Sequence, residues 1–258
     1  MYTLYTNMAN ALNRKPNRPL SQIAVEHIHE RILLGQLPAG SRISDFRLAK
    51  EIGISRTPVR EAINQLASGG ILEQVPGIGA FVKVPDDQEI LELLQVREHL
   101  ESLVVLLASQ TISDREIAEL KEINGQAVQL IREVRRAKGR RPTDKQLEQS
   151  TALDMKYHGV LLSCSKNRFV HKIMRELHLM SRIFAHKHKR DATQGLASMA
   201  RTWREHREIL RALEHHDTEA ATKLMVQHIR NYPHIENARI RYVPSQRNAS
   251  QPGSASGR

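Results

Sequence analysis

Four polar side chains interrupt apolar helical stripes in the second half of the chain: Asp154, His158, His206 and His228. Asp154 and His158 are four residues apart, so they lie on one helix face. Burying such groups is costly unless they are paired or bind a metal. Three imidazoles and one carboxylate suit a divalent transition metal, with zinc first and nickel or manganese as alternatives. The pattern indicates a metal site. The alternative is a set of hydrogen-bonded core histidines, since the chain has 13 histidines.

A second group of residues has the chemistry of nucleic-acid binding: Ser55, Arg56, Thr57 and Arg60, with Arg47 shortly before them. Arg56 and Arg60 are four apart and share a helix face, and arginine suits bidentate contacts with guanine edges. Hydroxyl and backbone N–H groups at a helix N-terminus form a natural phosphate site. Taken singly, these arginines would indicate a solvated helix face, so the surrounding elements decide whether the face reads DNA.

Short elements position this second group between residues 20 and 85. The pattern predicts helices and then strands, over Ser21–Leu34, Ser44–Ile52, Ser55–Ser68, Ile71–Val75 and Ala80–Val84. The strands are joined by a hairpin loop in which Gly77 allows a close approach to DNA. Three helices followed by a glycine-tipped hairpin are typical of a winged helix-turn-helix, whose last helix enters the major groove.

The chain from residue 86 to residue 240 is helical in period. Helices are predicted near 87–110, 114–138, 146–163, 168–189, 196–214 and 218–237. These helices predict an antiparallel all-α bundle. Such bundles build metal sites from inward side chains of facing helices. Residues 1–19 and 241–258 are polar and are interpreted as a flexible arm and a disordered tail. The fold class is therefore mainly α, with a winged helix-turn-helix followed by a helical bundle.

Composition narrows the class of partner and the compartment. The formal net charge is +11, which favours a polyanion, whereas aromatic residues make up only 4% and disfavour a stacking platform for single strands. A single cysteine, Cys164, excludes an intramolecular disulfide and favours a reducing cytoplasm. No apolar run reaches the roughly 18 residues of a membrane span. We therefore expect a cytoplasmic protein without membrane contact.

The run from Phe46 to Ile63 closely resembles the signature of the GntR family of bacterial regulators, as do Gly70–Leu72 and Gly77–Val82. The resemblance implies DNA contacts from one set of residues, namely Arg47, Ser55, Arg56, Thr57, Arg60 and the wing around Gly77. The family's wing often carries a basic residue where this chain has Ile78. We therefore expect Arg56 and Arg60 to carry more of the base reading here.

The helical part is similar to the FCD type of ligand-binding domain in the FadR-like branch of that family. Metal-binding members carry an Asp-x-x-x-His pair, a His after a Glu and a later His, which correspond to Asp154, His158, His206 and His228. The resemblance implies a small organic-acid effector bound at the metal. It also implies effector contacts from matching residues of the pocket, namely Arg97, Glu101 and Asn167.

These patterns together predict a DNA-binding transcriptional regulator, by expectation a repressor and not an enzyme. We expect a homodimer on a palindromic operator of double-stranded DNA, because one recognition helix covers one half-site. Two alternatives stay open. A metal-dependent enzyme would use the three His and one Asp to activate water, but the chain has no His-Glu-x-x-His motif or evident nucleophile–base pair. A basic interaction module would only dimerise.

Overall fold

The computed structural model describes residues 18–137, 141–187 and 195–231. The predicted disordered tail, nearly all of the predicted arm, and the end of the predicted last helix lie outside the described residues. The described elements, in chain order, are α1 Leu20–Leu33, β1 Arg42–Ile43, α2 Asp45–Ile52, α3 Arg56–Ser68, β2 Leu72–Val75, β3 Gly79–Val82, α4 Asp87–Ser109, α5 Asp114–Arg136, α6 Asp144–Cys164, α7 Arg168–Lys187, α8 Leu196–Glu214 and α9 Thr218–Arg230. The mainly helical fold class is confirmed.

The first three helices and a small sheet form the winged helix-turn-helix. The side chain of Ser44 accepts a hydrogen bond from the backbone N–H of Arg47 and caps α2, and Gly53 ends α2 in the left-handed conformation. The strands form an antiparallel sheet in the order β1-β3-β2. The two-residue strand β1 was not predicted, because it is too short to show an alternating pattern. The wing is therefore a hairpin with a third strand at its edge.

The winged helix-turn-helix shares its hydrophobic core with one later helix. Apolar residues of α1 and α3 pack in one cluster, namely Ala24, Val25, Ile28, Ile32, Val59, Ala62, Ile63 and Leu66. Leu179 and Ile183 of α7 belong to the same cluster. Helix α7 therefore packs against the winged helix-turn-helix, a contact that the sequence patterns did not predict.

The remaining helices form the predicted all-α part, and capping boxes fix where the first three begin. The cap residues are Asp86, Ser113 and Thr143, each paired with a Glu or Gln three residues later. Helix α5 ends at Arg136 and α6 begins at Asp144, so the two ends of the basic stretch Arg135–Lys145 are helical; residues 138–140 lie outside the described residues. None of the described helices is long and apolar enough to cross a membrane. The domain limits 20–85 and 86–240 stay a prediction.

Candidate metal centre and nucleic-acid interface

Three helices bring the four predicted metal ligands together. Asp154 and His158 lie on α6, His206 on α8 and His228 on α9, and one ligand atom from each lies within 4.8 Å of all the others. The Nε2 atoms of His158 and His206 are 3.3 Å apart, and Nε2 of His206 is 3.6 Å from Oδ1 of Asp154. Ligand nitrogens on a tetrahedral zinc ion are about 3.4 Å apart, given Zn–N bonds of about 2.05 Å. The spacing of these atoms therefore suits a single ion.

Carboxylates orient two of the histidines. The Nδ1 atom of His158 donates to Oε2 of Glu101 at 3.1 Å, and Nδ1 of His228 donates to Oε2 of Glu205 at 2.8 Å. A carboxylate only accepts, so Nδ1 of each imidazole carries a proton, and Nε2 is the nitrogen that would bind a metal. The role of Glu205 was not predicted, although it directly precedes His206 in the chain.

His206 gives a direct test of whether the residues fit a metal. Its side chain is fully buried, and its Nε2 atom is the nitrogen that meets His158 and Asp154. The Tyr157 ring stacks on its imidazole with 4.2 Å between centroids. Burial, followed by the charges of His228 and His158, holds the pKa of His206 well below its ordinary value, so the ring is neutral. A buried, neutral imidazole aimed at three other ligands fits a divalent transition metal.

Two residues predicted to contact the effector lie beside this cluster. Arg97 and Glu101 are buried on α4, and Nη2 of Arg97 donates to Oε1 of Glu101 at 3.0 Å. Nε2 of His178, on α7, donates to the same oxygen at 3.0 Å. Burial alone would raise the pKa of Glu101, but His158 and His178 outweigh it and hold the pKa well below its usual range. Glu101 is therefore an ionised carboxylate inside the bundle.

His178 was not among the site residues predicted from the sequence. A signal was present, since Val170 and Met174 precede it at four-residue spacing and both are buried. Asn167, the third predicted effector contact, lies at the start of α7. Its Oδ1 atom accepts from the backbone N–H groups of Phe169 and Val170 at 3.0 and 3.2 Å and caps that helix. An effector contact by Asn167 stays a prediction.

The predicted DNA-contacting residues lie exposed at the start of α3. Nη2 of Arg56 and Nε of Arg60 both donate to Oδ2 of Asp45 on α2, at 2.9 and 2.8 Å. The hydrogen bond from Arg60, ahead of the other causes, lowers the pKa of Asp45. The Ser55 hydroxyl, at the N-cap position, makes no capping hydrogen bond. The exposed Thr57 lies in the first turn of the same helix. This end of α3 therefore presents two oriented guanidinium groups and two hydroxyls to solvent.

The wing has a support that sequence reasoning did not find. Nη2 of Arg42 on β1 donates to the backbone oxygen of Ile78 at 2.8 Å, which ties the wing tip to the edge strand. Gly77 adopts a φ of 74°, a left-handed conformation that favours glycine. Arg47, on α2, is exposed. The structure thus places Arg47, the start of α3 and Gly77 on solvent-accessible parts of the winged helix-turn-helix.

Comparison with known proteins identifies both parts of the chain. Residues 20–82 match the gntR family of bacterial regulatory proteins, and residues 92–231 match the FCD domain. The Nta operon transcriptional regulator of Aminobacter aminovorans is 39% identical over 83 residues, which are 32% of this chain and 40% of that relative. The chain thus spans less than half the length of this relative.

Two other proteins match over most of the chain. The Uxu operon regulator of Haemophilus influenzae is 27% identical over 245 residues, covering 88% of this chain and 84% of the relative. The solved structure of Escherichia coli McbR/YncC has the same fold, with a TM-score of 0.70 at 20% identity, covering 88% of this chain and 100% of that one. The chain therefore belongs to the GntR family of bacterial transcriptional regulators and carries an FCD domain after its winged helix-turn-helix.

Proposed function

We propose that this regulator is a repressor whose operator binding responds to a small carboxylate bound at a divalent metal centre in the helical part. The observation that carries the proposal is the convergence of four ligand atoms within 4.8 Å of one another. Two of these ligands are imidazoles oriented by buried or half-buried carboxylates. In a set of hydrogen-bonded core histidines, Nε2 of His206 would have to serve both Nε2 of His158 at 3.3 Å and Oδ1 of Asp154 at 3.6 Å, whereas one metal ion binds all three atoms. A metal centre accounts for the arrangement better.

The metal, with zinc first and nickel or manganese as alternatives, would be held by Asp154, His158, His206 and His228. When bound, it would offer an open coordination position to an effector carboxylate. Arg97 lies in contact with Glu101 beside these ligands, and its guanidinium suits a bidentate pair with a carboxylate. The effector class is therefore a small organic acid.

On the DNA side, Arg47, Ser55, Arg56, Thr57 and Arg60 would contact the operator, with Gly77 letting the wing approach. Arg56 and Arg60 are the base-reading pair, because their side chains are 52% and 63% exposed at the N-terminus of α3. We expect two copies of the chain to bind a palindromic operator. The Nta and Uxu relatives are named as operon regulators, which favours this function over a metal-dependent enzyme.

Metal analysis tests the proposal. Protein purified without a histidine tag should contain about one divalent metal ion per chain, the number that one four-ligand site binds. His206→Ala should lose it, because His206 supplies a buried ligand. His171→Ala is the matched control, since His171 lies on α7 and belongs neither to the four-ligand cluster nor to the second group that could hold an ion, Glu101, His158 and His178. Full metal content in His206→Ala would sink the assigned site.

A further inference from the structure

The carboxylate of Glu101 joins three helices at one buried point. Its Oε2 atom accepts from His158 of α6, and its Oε1 atom accepts from His178 of α7 and from Arg97 of its own helix, α4. Glu101 has an exposed fraction of only 1%. One oxygen therefore faces a candidate metal ligand, and the other holds a helix that contributes none of the four ligands.

That helix, α7, continues directly into the contact with the DNA-binding region. Leu179 and Ile183 follow His178 and pack in the core of the winged helix-turn-helix. The Nε atom of Arg182 donates to the backbone oxygen of Leu33 at 3.1 Å. Leu33 is the last residue of α1, where helix carbonyls lack partners within the helix. Arg182 therefore caps the C-terminal end of α1.

The two contacts of α7 are one helical turn apart. His178 and Arg182 are four residues apart, a rise of about 6 Å along an α-helix, and share one face. Helix α1 in turn packs on α3, and its Ile28 and Ile32 lie in the same core cluster as the buried residues of α3. A short rigid element therefore separates the carboxylate beside the candidate metal centre from the first helix of the DNA-binding region.

We propose that His178 is a positioning residue that couples the metal centre to the DNA-binding region through α7 and the Arg182 cap. The inference rests on the proposed metal centre and describes how a change at that centre would reach the DNA-binding region. Metal binding at Nε2 of His158 strengthens the hydrogen bond from its Nδ1 to Glu101. A carboxylate that attracts Arg97 leaves Oε1 of Glu101 to His178. Either event changes the strength of the hydrogen bond between His178 and Glu101, and so how firmly Glu101 holds α7. The ligand-bound and ligand-free states of the site then differ in free energy at α7, as coupling requires.

Hydrogen–deuterium exchange of the full-length protein, with and without Zn²⁺, tests the coupling. Zn²⁺ should slow exchange of the amides in the last turn of α1 by about fivefold, the lower end of typical coupling between sites. His178→Leu removes the donor to Glu101 at similar size, so it should bind Zn²⁺ with unchanged stoichiometry and lose the response in α1. His178→Gln retains an N–H donor and should restore the response.

Two further variants complete the design. His171→Leu changes a residue of the same helix and should keep the full response in α1. Arg182→Met removes the cap on α1 and should lose that response. If His178→Leu does not fold, Arg182→Met alone tests the coupling. A wild-type protein that binds Zn²⁺ without any change in α1, or unchanged responses in His178→Leu and Arg182→Met, would overturn the coupling and leave the metal centre standing. Absence of stoichiometric Zn²⁺ binding in the wild type would overturn the metal centre and the coupling with it.

Discussion

Acidic side chains orient the functional cationic and imidazole groups of this protein. Asp45 holds the two arginines at the start of α3, and Glu101 and Glu205 each hold a candidate metal ligand through its Nδ1 atom. Each carboxylate restricts groups that would otherwise take several rotamers. Removing one of these three carboxylates therefore leaves its partner groups without the acceptor that orients them.

Replacing Asp45 tests this orientation at the DNA interface. Asp45→Asn keeps the shape of the side chain but releases Arg56 and Arg60, and it makes the net charge more positive by one unit because a carboxylate is lost. We expect tighter binding to unrelated DNA and about a fivefold loss of preference for the operator, since an exposed ion pair contributes up to about 1 kcal/mol. Fluorescence anisotropy with an operator selected from random DNA measures both affinities. Asp114→Asn, an exposed aspartate on α5, is the control, and an unchanged ratio of affinities would contradict the role of Asp45.

Glu205 allows a similar test at the metal centre. Glu205→Gln weakens the acceptor for Nδ1 of His228, so the ring loses basicity and orientation. The Zn²⁺ affinity should fall about 10- to 100-fold, the range for loss of such a partner. Titration against a competing chelator measures the affinity. Glu208→Gln, an exposed position on the same helix, should leave it unchanged; equal affinities for both variants would show that Glu205 does not orient a ligand.

At the scale of elements, helix α7 is the component that both halves of the molecule share. His29 of α1 lies in the electrostatic field of Arg175 of α7, with Glu26 partly offsetting it. Burial first, and the Arg175 charge second, lower the pKa of His29 from 6.5 to about 4. His29 is therefore neutral in the folded protein at pH 5, while the unfolded chain is protonated there.

This difference makes stability depend on pH. Between pH 7 and pH 5 the unfolded chain takes up a proton at His29 that the folded chain does not, so the free energy of unfolding falls as the pH falls. The loss is about 1–2 kcal/mol from this residue. His29→Gln should show a correspondingly smaller decrease in its urea midpoint between the two pH values. Parallel decreases in both proteins would refute the assignment.

The periodicity of the sequence predicted most elements within a few residues, because apolar spacing and capping residues are local. The four candidate metal ligands were identified for the same reason, as each interrupts the apolar stripe of its own helix. The short strand β1 and the packing of α7 on α1 were missed. A two-residue strand is too short to show a period. The apolar spacing of Leu179 and Ile183 is the same whether they pack inside the helical part or against the winged helix-turn-helix. His178 was missed because its partner, Glu101, is 77 residues away in the chain.

At the scale of the whole molecule, the two regions differ in how they expose their chemistry. The side chains predicted to contact DNA lie on the surface, where they would meet a rigid, charged partner. The candidate metal ligands lie largely inside the bundle, where three of the four are buried. A buried site detects a small ligand through packing and hydrogen bonds, whereas a surface site changes its affinity for DNA when the orientation of its region changes. The proposed response of the surface site to the buried one therefore requires a mechanical link, and the α1–α7 contact is the link that we propose.

The proposed homodimer leads to a geometric prediction for the operator. Two copies related by a two-fold axis present their α3 helices to half-sites about one helical turn apart, or 10–10.5 base pairs. Inserting about five base pairs between the half-sites turns one of them to the opposite face of the DNA. Affinity should then fall at least about tenfold, because only one helix reads its half-site. Light scattering should give a solution mass of twice the 29.4 kDa of the chain. Unchanged binding to the spaced operator, or a monomeric mass for the complex on DNA, would rule out the symmetric dimer.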